Sequence, residues 1–264
     1  MDLKLEDKKV FISGSTAGIG YATAKRFLVE GATVVINGRS QESIDKAIEE
    51  LKSETGSDKV SGIPADFSKV EEVDSLLQAL PEVDILINNA GIFEPKAFTD
   101  IPDEDWLRFF EVNVLSGIRL ARQYFPKMLE KNWGRIIFIS SESGVFIPEE
   151  MIHYGMTKTA QLAVSRGLAE LTKGTNVTVN SILPGPTKSK GVGKFIEDMS
   201  SSSGKSVQKV EEEFFQDMRP TSLIQRFAAV EEVADTIVYY SSPLASATNG
   251  ASIRVEGGLV KSIL

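Results

Sequence analysis

The chain has 264 residues, 42% hydrophobic and 25% charged, with a formal net charge of −8. That length and apolar content suit one large α/β domain, and an acidic balance without a basic stripe speaks against a nucleic-acid partner. Cysteine is absent and His153 is the single histidine, which removes disulfides, thiolate chemistry and Cys/His metal clusters; no Asp/Glu spacing suggests a metal either.

In chain order, the N-terminus MDLKLEDKKV carries charges and no apolar signal core. Val10-Phe11-Ile12 is a short apolar run that leads into Ser13-Gly14-Ser15-Thr16-Ala17-Gly18-Ile19-Gly20, and a helical pattern covers 19–30. Glycines in such a turn allow positive φ and close approach of a pyrophosphate, which a helix N-terminus then attracts. The second run, Thr33–Ile36, ends at Asn37-Gly38-Arg39-Ser40. An acid at this strand tip would hold an adenosine ribose; Arg39 stands there instead and suits a 2′-phosphate, so NADP(H) is favoured over NAD(H). Further runs at Val60–Ile63, Ile85–Ile87, Ile136–Ile139, Val177–Leu183 and 251–256 alternate with helical patterns at 41–55, 69–79, 103–131, 151–173 and 231–241. Short β-branched runs bounded by Gly, Asn or Pro are the mark of buried parallel strands. The expectation is an α/β fold: a doubly wound, Rossmann-like parallel sheet of about seven strands flanked by helices, in a single domain over 1–264. The Ser-, Lys-, Gly- and Glu-rich stretch 187–222 reads as a lid. Its apolar residues (Val192, Phe195, Ile196, Phe214, Phe215, Met218) pack over a pocket as two short helices, with a disordered tip around 200–206. No run of about 20 apolar residues spans a membrane, and the expected location is the cytoplasm.

Chemistry is written in FISSESG and HYGMTKTA. Tyr154 and Lys158 are one turn apart on a helix, so the ammonium favours the phenolate and lowers the phenol pKa. Ser141, thirteen residues before Tyr154, can hydrogen-bond a substrate oxygen as charge develops. His153 points away from Tyr154 and reads as a pocket-rim or interface residue. Glu142, Glu149 and Glu150 lie near the substrate side, either repelling anions or merely solvated.

These motifs, in this order, resemble the short-chain dehydrogenase/reductase family from Lys8 to Gly258. Its glycine turn corresponds to Ser13–Gly20, including Gly14, Ser15, Gly18, Ile19 and Gly20, with serine in place of threonine at the start. Its adenine-contacting aspartate corresponds to Asp66, followed by Phe67; its Asn-Asn-Ala-Gly motif to Asn88, Asn89, Ala90 and Gly91; its helix asparagine to Asn113. Its serine corresponds to Ser141 rather than Ser140, and its Pro-Gly and following threonine to Pro184, Gly185 and Thr187. Glu256-Gly257-Gly258 departs from the commoner Asp-Gly-Gly. The resemblance implies that Tyr154 is the general acid or base and that Lys158 tunes it and binds the nicotinamide ribose. It further implies that Ser141 holds the substrate oxygen and that Asn113 holds a water extending a proton relay through Lys158. The implied activity is NAD(P)(H)-dependent oxidoreduction of a small carbonyl or alcohol, foremost NADPH-dependent reduction of a ketone. The substrate would be a 3-oxoacyl thioester, met by a basic patch of Arg119, Arg122, Lys127, Lys131 and Arg135, or a small hydrophobic ketone. The alternative is a non-catalytic dinucleotide-binding sensor. Assembly as a homotetramer or homodimer is also implied.

Overall fold

A computed structural model describes residues 1–263, with the side chains of Lys190 and Phe195 outside the described part. Among the described residues, seven strands form one parallel sheet: β1 (Lys9–Ile12), β2 (Thr33–Gly38), β3 (Val60–Pro64), β4 (Ile85–Asn88), β5 (Gly134–Ile139), β6 (Val177–Pro184) and β7 (Ser252–Val255). Their order in the sheet is β3-β2-β1-β4-β5-β6-β7. The chain reverses direction across the sheet between β1 and β4, which pair in parallel. In a doubly wound sheet that reversal opens a crevice at the strands' C-terminal ends, where ligands bind.

Alternate strand residues serve opposite faces. Val10 and Ile12 join Val34, Ile36, Ile85 and Ile87 on one face, under α1 (Gly18–Val29), α2 (Gln41–Thr55) and the later helix Val230–Tyr240. Phe11, Val35 and Leu86 face the other way. There they meet Leu76 of α3 (Val70–Ala79) and Leu120, Tyr124 and Met128 of the helix Ser116–Glu130. Strands buried on both faces need apolar residues at every position, which is why they read as unbroken β-branched runs.

The expected helix 103–131 is interrupted. It consists of α4 (Asp103–Phe110), a π-turn at Glu111–Leu115 and α5 (Ser116–Glu130). Next come α6 (Ile152–Glu170), α7 (Lys190–Ser203), α8 (Val207–Glu213), a second π-turn (Phe214–Met218) and α9 (Val230–Tyr240).

The expected disordered tip at 200–206 is corrected: Ser200–Ser203 form the last turn of α7. Ser202 and Ser203 hydroxyls donate to the carbonyls of Asp198 and Met199, and Gly204 ends the helix at φ 69°, a left-handed position that favours glycine. Ser189 and Ser206 cap α7 and α8 by accepting from the N–H groups of Val192 and Lys209. Ile196, Val210, Phe214, Phe215 and Phe227 make a small core of their own, with Val192 and Met218 against it. Phe195, expected in that packing, has its side chain outside the described part.

Candidate active site

The turn after β1 is held from several sides. Ser13 Oγ accepts from the N–H groups of Asn89 and Ala90, each at 2.9 Å. Asn89 Nδ2 donates to the carbonyls of Ser13 and Gly14 at 3.0 and 2.8 Å. Buried Asn37 accepts from Gly14 N at 3.0 Å and donates to Ile63 O, so β2 and β3 share in fixing the turn. Gly14 and Gly18 take φ values of 60° and 61°. A Cβ on Gly20 would stand 2.6 Å from Asn89 Nδ2, so only glycine fits where α1 meets the motif of Asn89. The first turn of α1 has no acidic residue, and its N-cap, Ala17, makes no side-chain cap hydrogen bond. The N–H groups there are left for an anion. This cradle fits the diphosphate of a dinucleotide.

Arg39 is exposed at the end of β2. Asp66 follows β3, and its carboxylate accepts from Ser68 N and Oγ. Partial burial works against ionisation of Asp66. Even so, the Ser68 hydrogen bonds and the nearby Arg39 hold its carboxyl below the ordinary range. The side chain of Phe67 is buried in the core with Val73 and Leu76, so only its backbone is left to meet a nucleotide.

A cavity of about 250 Å³ opens where β4, β5 and β6 end. It brings together Ile19, Asn89, Gly91, Ser141, Tyr154, Lys158, Pro184, Gly185 and Thr187 of the expected set. Gly14, Ser15, Gly18, Gly20, Arg39, Asp66 and Ala90 do not line it; they lie along the ends of β1 to β4. Asn113 is fully buried behind Gly91. Its Oδ1 accepts from Ile92 N at 2.7 Å and its Nδ2 donates to Ile92 O and to Thr157 Oγ1, both at 3.0 Å.

The carbonyl of Asn113, inside the π-turn, accepts from a side chain. Gln161 Nε2 donates to it at 2.6 Å, and Gln161 Oε1 accepts from Lys158 Nζ at 3.2 Å. Gln161 therefore stands where the resemblance puts a water between Asn113 and Lys158. A lone glutamine on a helix gives no such signal in the sequence. Lys158 Nζ also donates to Ile139 O at 2.9 Å and lies 5.5 Å from the centre of the Tyr154 ring.

Burial lowers the Lys158 ammonium from an ordinary 10.5 to about 8, with Glu142 opposing. The phenol of Tyr154 departs from expectation. Burial first, then the charge of Glu142, hold it above its ordinary range, whereas the spacing to Lys158 predicts the opposite direction. Part of the reason is that Glu142 is inside the site rather than solvated. It lines the cavity, is 6% exposed, and its Oε2 accepts from Ser141 Oγ at 2.6 Å. Burial raises the Glu142 carboxyl, against the pull of Ser141 and Arg219. Arg219, from the turn after α8, places Nε 3.9 Å from Glu142 Oε1 and Nη2 3.1 Å from Glu150 Oε1.

His153 is another correction. It is neither at a rim nor exposed but fully buried, 4.1 Å from the Phe109 ring centre and 5.9 Å from that of Trp106. Three of the five residues of the basic patch are taken up, whereas Arg122 is exposed and Lys127 half-buried. Arg135 is buried, Arg119 pairs with Glu111 and Lys131 with Glu82. Among the described residues there is no His/Cys/Asp/Glu group that could hold a metal, and no helix long and apolar enough to cross a membrane.

The pattern of the short chain dehydrogenase family matches residues 8–200. The chain belongs to the short-chain dehydrogenase/reductase family. It is an NAD(P)-dependent oxidoreductase of carbonyl or alcohol substrates. Among its relatives is the uncharacterized oxidoreductase YvrD of Bacillus subtilis (strain 168), 52% identical over 266 residues and 100% of both chains. A 3-oxoacyl-(acyl-carrier-protein) reductase of Aquifex aeolicus (strain VF5) is 31% identical over 98% of this chain and 100% of its own. The crystal structure of L-sorbose reductase from Gluconobacter frateurii, complexed with NADPH and L-sorbose, superposes with a TM-score of 0.92. That similarity holds at 30% identity over all of both chains.

Proposed function

We propose that this short-chain dehydrogenase/reductase uses NADPH to reduce a small neutral ketone to a secondary alcohol. The observation that carries the reading is one cavity. It joins Ser141, Tyr154 and Lys158 to the nucleotide side at Gly91 and Pro184–Thr187, next to the uncapped start of α1. The glycine turn would take the diphosphate, and Arg39 would meet a 2′-phosphate. NADPH supplies a hydride to the carbonyl carbon when bound. Lys158 would orient the nicotinamide ribose beside Tyr154. Ser141 would steady the carbonyl oxygen, and the Tyr154 O–H would protonate it as the C–O π pair becomes a lone pair. The phenol carries its proton in this site, so Tyr154 stands as the donor that reduction requires, and binding of the nucleotide and substrate would have to lower its raised pKa for efficient transfer. NADPH is the nucleotide in the sorbose reductase structure, which supports the same choice here.

The substrate reading follows from charge. Arg219 already faces two carboxylates, Glu142 and Glu150, and the other cation of the lining, Lys158, is turned to Ile139 O and Gln161 Oε1, which favours a neutral substrate over an anionic one. The acyl-thioester alternative keeps only Arg122 and Lys127 of its basic patch outside ion pairs and burial. We further read 187–222 as the lid, because Val192, Phe214, Met218 and Arg219 form one wall of the cavity.

The test is a fluorescence titration with NADPH and NADH, followed by a ketone screen. NADPH should bind more tightly, and Arg39→Ala should erase the preference. Tyr154→Phe should bind nucleotide yet lose turnover. Equal binding of NADH would refute the cofactor reading. Full behaviour in Tyr154→Phe would favour a non-catalytic sensor.

A further inference from the structure

Ser141 faces a conflict. It is to donate a hydrogen bond to a substrate carbonyl oxygen, yet its one proton already goes to Glu142 Oε2 at 2.6 Å. A carboxylate accepts only, and a serine hydroxyl has a single hydrogen. If Ser141 turned to a plain ketone, Glu142 would lose that donor while remaining buried at 6% exposed, which is unfavourable for a charged group. Arg219 Nε, at 3.9 Å from Oε1, is too far to replace it by a direct hydrogen bond, and Ser143, which also draws the carboxyl down, already gives its N–H to Ser141 Oγ at 3.1 Å.

A substrate with its own donor removes the conflict. We propose that Glu142 recognises a hydroxyl group on the substrate close to the carbonyl, so that this enzyme is selective for hydroxylated ketones. The proposal rests on the reading of the chain as a ketone reductase. The substrate hydroxyl takes over as donor to Glu142, and Ser141 turns its proton to the carbonyl oxygen. The cavity has the lining this requires. Ser141, Glu142, Arg219 and Glu150 form a linked polar chain in the lining, while Phe93, Met151, Val192 and Phe214 supply apolar walls. This polar lining offers acceptors at Glu142 and Glu150 to further hydroxyls. Burial raises the Glu142 carboxyl against the pull of Ser141, Arg219 and Ser143.

The test compares matched ketones with NADPH: hydroxyacetone and 1,3-dihydroxyacetone against acetone and 2-butanone. A hydrogen bond to a buried charge predicts a kcat/KM advantage of about tenfold or more for the hydroxylated partner. Glu142→Gln, close in shape, should bring the ratio near unity. A wild-type ratio near unity overturns the proposal whether or not the variant folds, as does a ratio that survives in Glu142→Gln.

A second readout needs no turnover: saturation-transfer NMR of hydroxyacetone on the protein with NADP⁺. A transfer signal that is present in the wild type and vanishes in Glu142→Gln supports the proposal; signals of equal strength in the two proteins overturn it. If none of the four ketones is reduced, the reductase reading fails for small ketones, and the NMR comparison still decides the role of Glu142.

Discussion

Replacing Lys158 by Met tests how deeply this site is buried. Lys158 is 4% exposed, and burial holds its ammonium at about 8 against an ordinary 10.5. Below about pH 8 the folded and unfolded chains both carry that proton. Between about 8 and 10.5 the unfolded lysine keeps a proton that the folded one has released, so the wild type gains stability as pH rises. Above that window the gain is complete; as pH falls back through it, the gain is lost. The gap from 10.5 to about 8, at about 1.36 kcal/mol per pH unit, is worth about 3.4 kcal/mol.

Methionine cannot titrate, so it lacks this gain. It also leaves Ile139 O and Gln161 Oε1 without the donor Lys158 supplies, a loss without a strong pH dependence of its own. The assay is urea unfolding of both proteins at about pH 7, 9 and 10.5, with the difference in stability plotted against pH. The wild type should gain about 3 kcal/mol on the variant across that range. A difference that stays flat within about 1 kcal/mol would show that Lys158 keeps its solution pKa, and would refute the burial argument.

Glu142→Gln should raise the melting temperature near neutral pH, because it removes a buried charge. The folded carboxyl is raised, so its ionisation opposes folding more as pH increases; the advantage of the variant should shrink on acidification in a calorimetric series. Gly20→Ala should cost about 1–3 kcal/mol in urea melts and weaken NADPH binding in a fluorescence titration, since the new methyl would stand 2.6 Å from Asn89 Nδ2. Gln161→Leu should cost about 1–3 kcal/mol by stranding the carbonyl of Asn113, and should shift the pH profile of turnover because Lys158 loses an acceptor.

The sheet was legible because parallel strands buried on both faces leave nothing but apolar residues between turn signals; Ile85–Ile87 and Ile136–Ile139 are cases. The glycine turn, Tyr154 and Lys158 were legible because spacing along one element carries their geometry. What the sequence hides depends on contacts between elements. Gln161 looks like any helical glutamine until α6 is set against the π-turn. Glu142 and His153 are polar letters that usually face water, and only the packing of α4, α6 and Arg219 buries them. The break in 103–131 left no trace, because a single extra residue hardly disturbs apolar periodicity. The serine run at 200–203 reads as a disordered tip, but the hydroxyls of Ser202 and Ser203 bond back to their own helix.

The π-turn at Glu111–Leu115 also fixes the phase between two helices. A turn of this kind holds about one residue more than the α-helix around it. Deleting one residue there would close the ladder and yield a more regular rod. It would also rotate everything upstream by about 100° relative to α5. Phe109 would swing off His153, and Trp106 with it, taking the support from the residue beside Tyr154. The carbonyl of Asn113 would return to the backbone, leaving Gln161 nothing to hold. An insertion-deletion survey of this helix should therefore find its length more constrained than its composition.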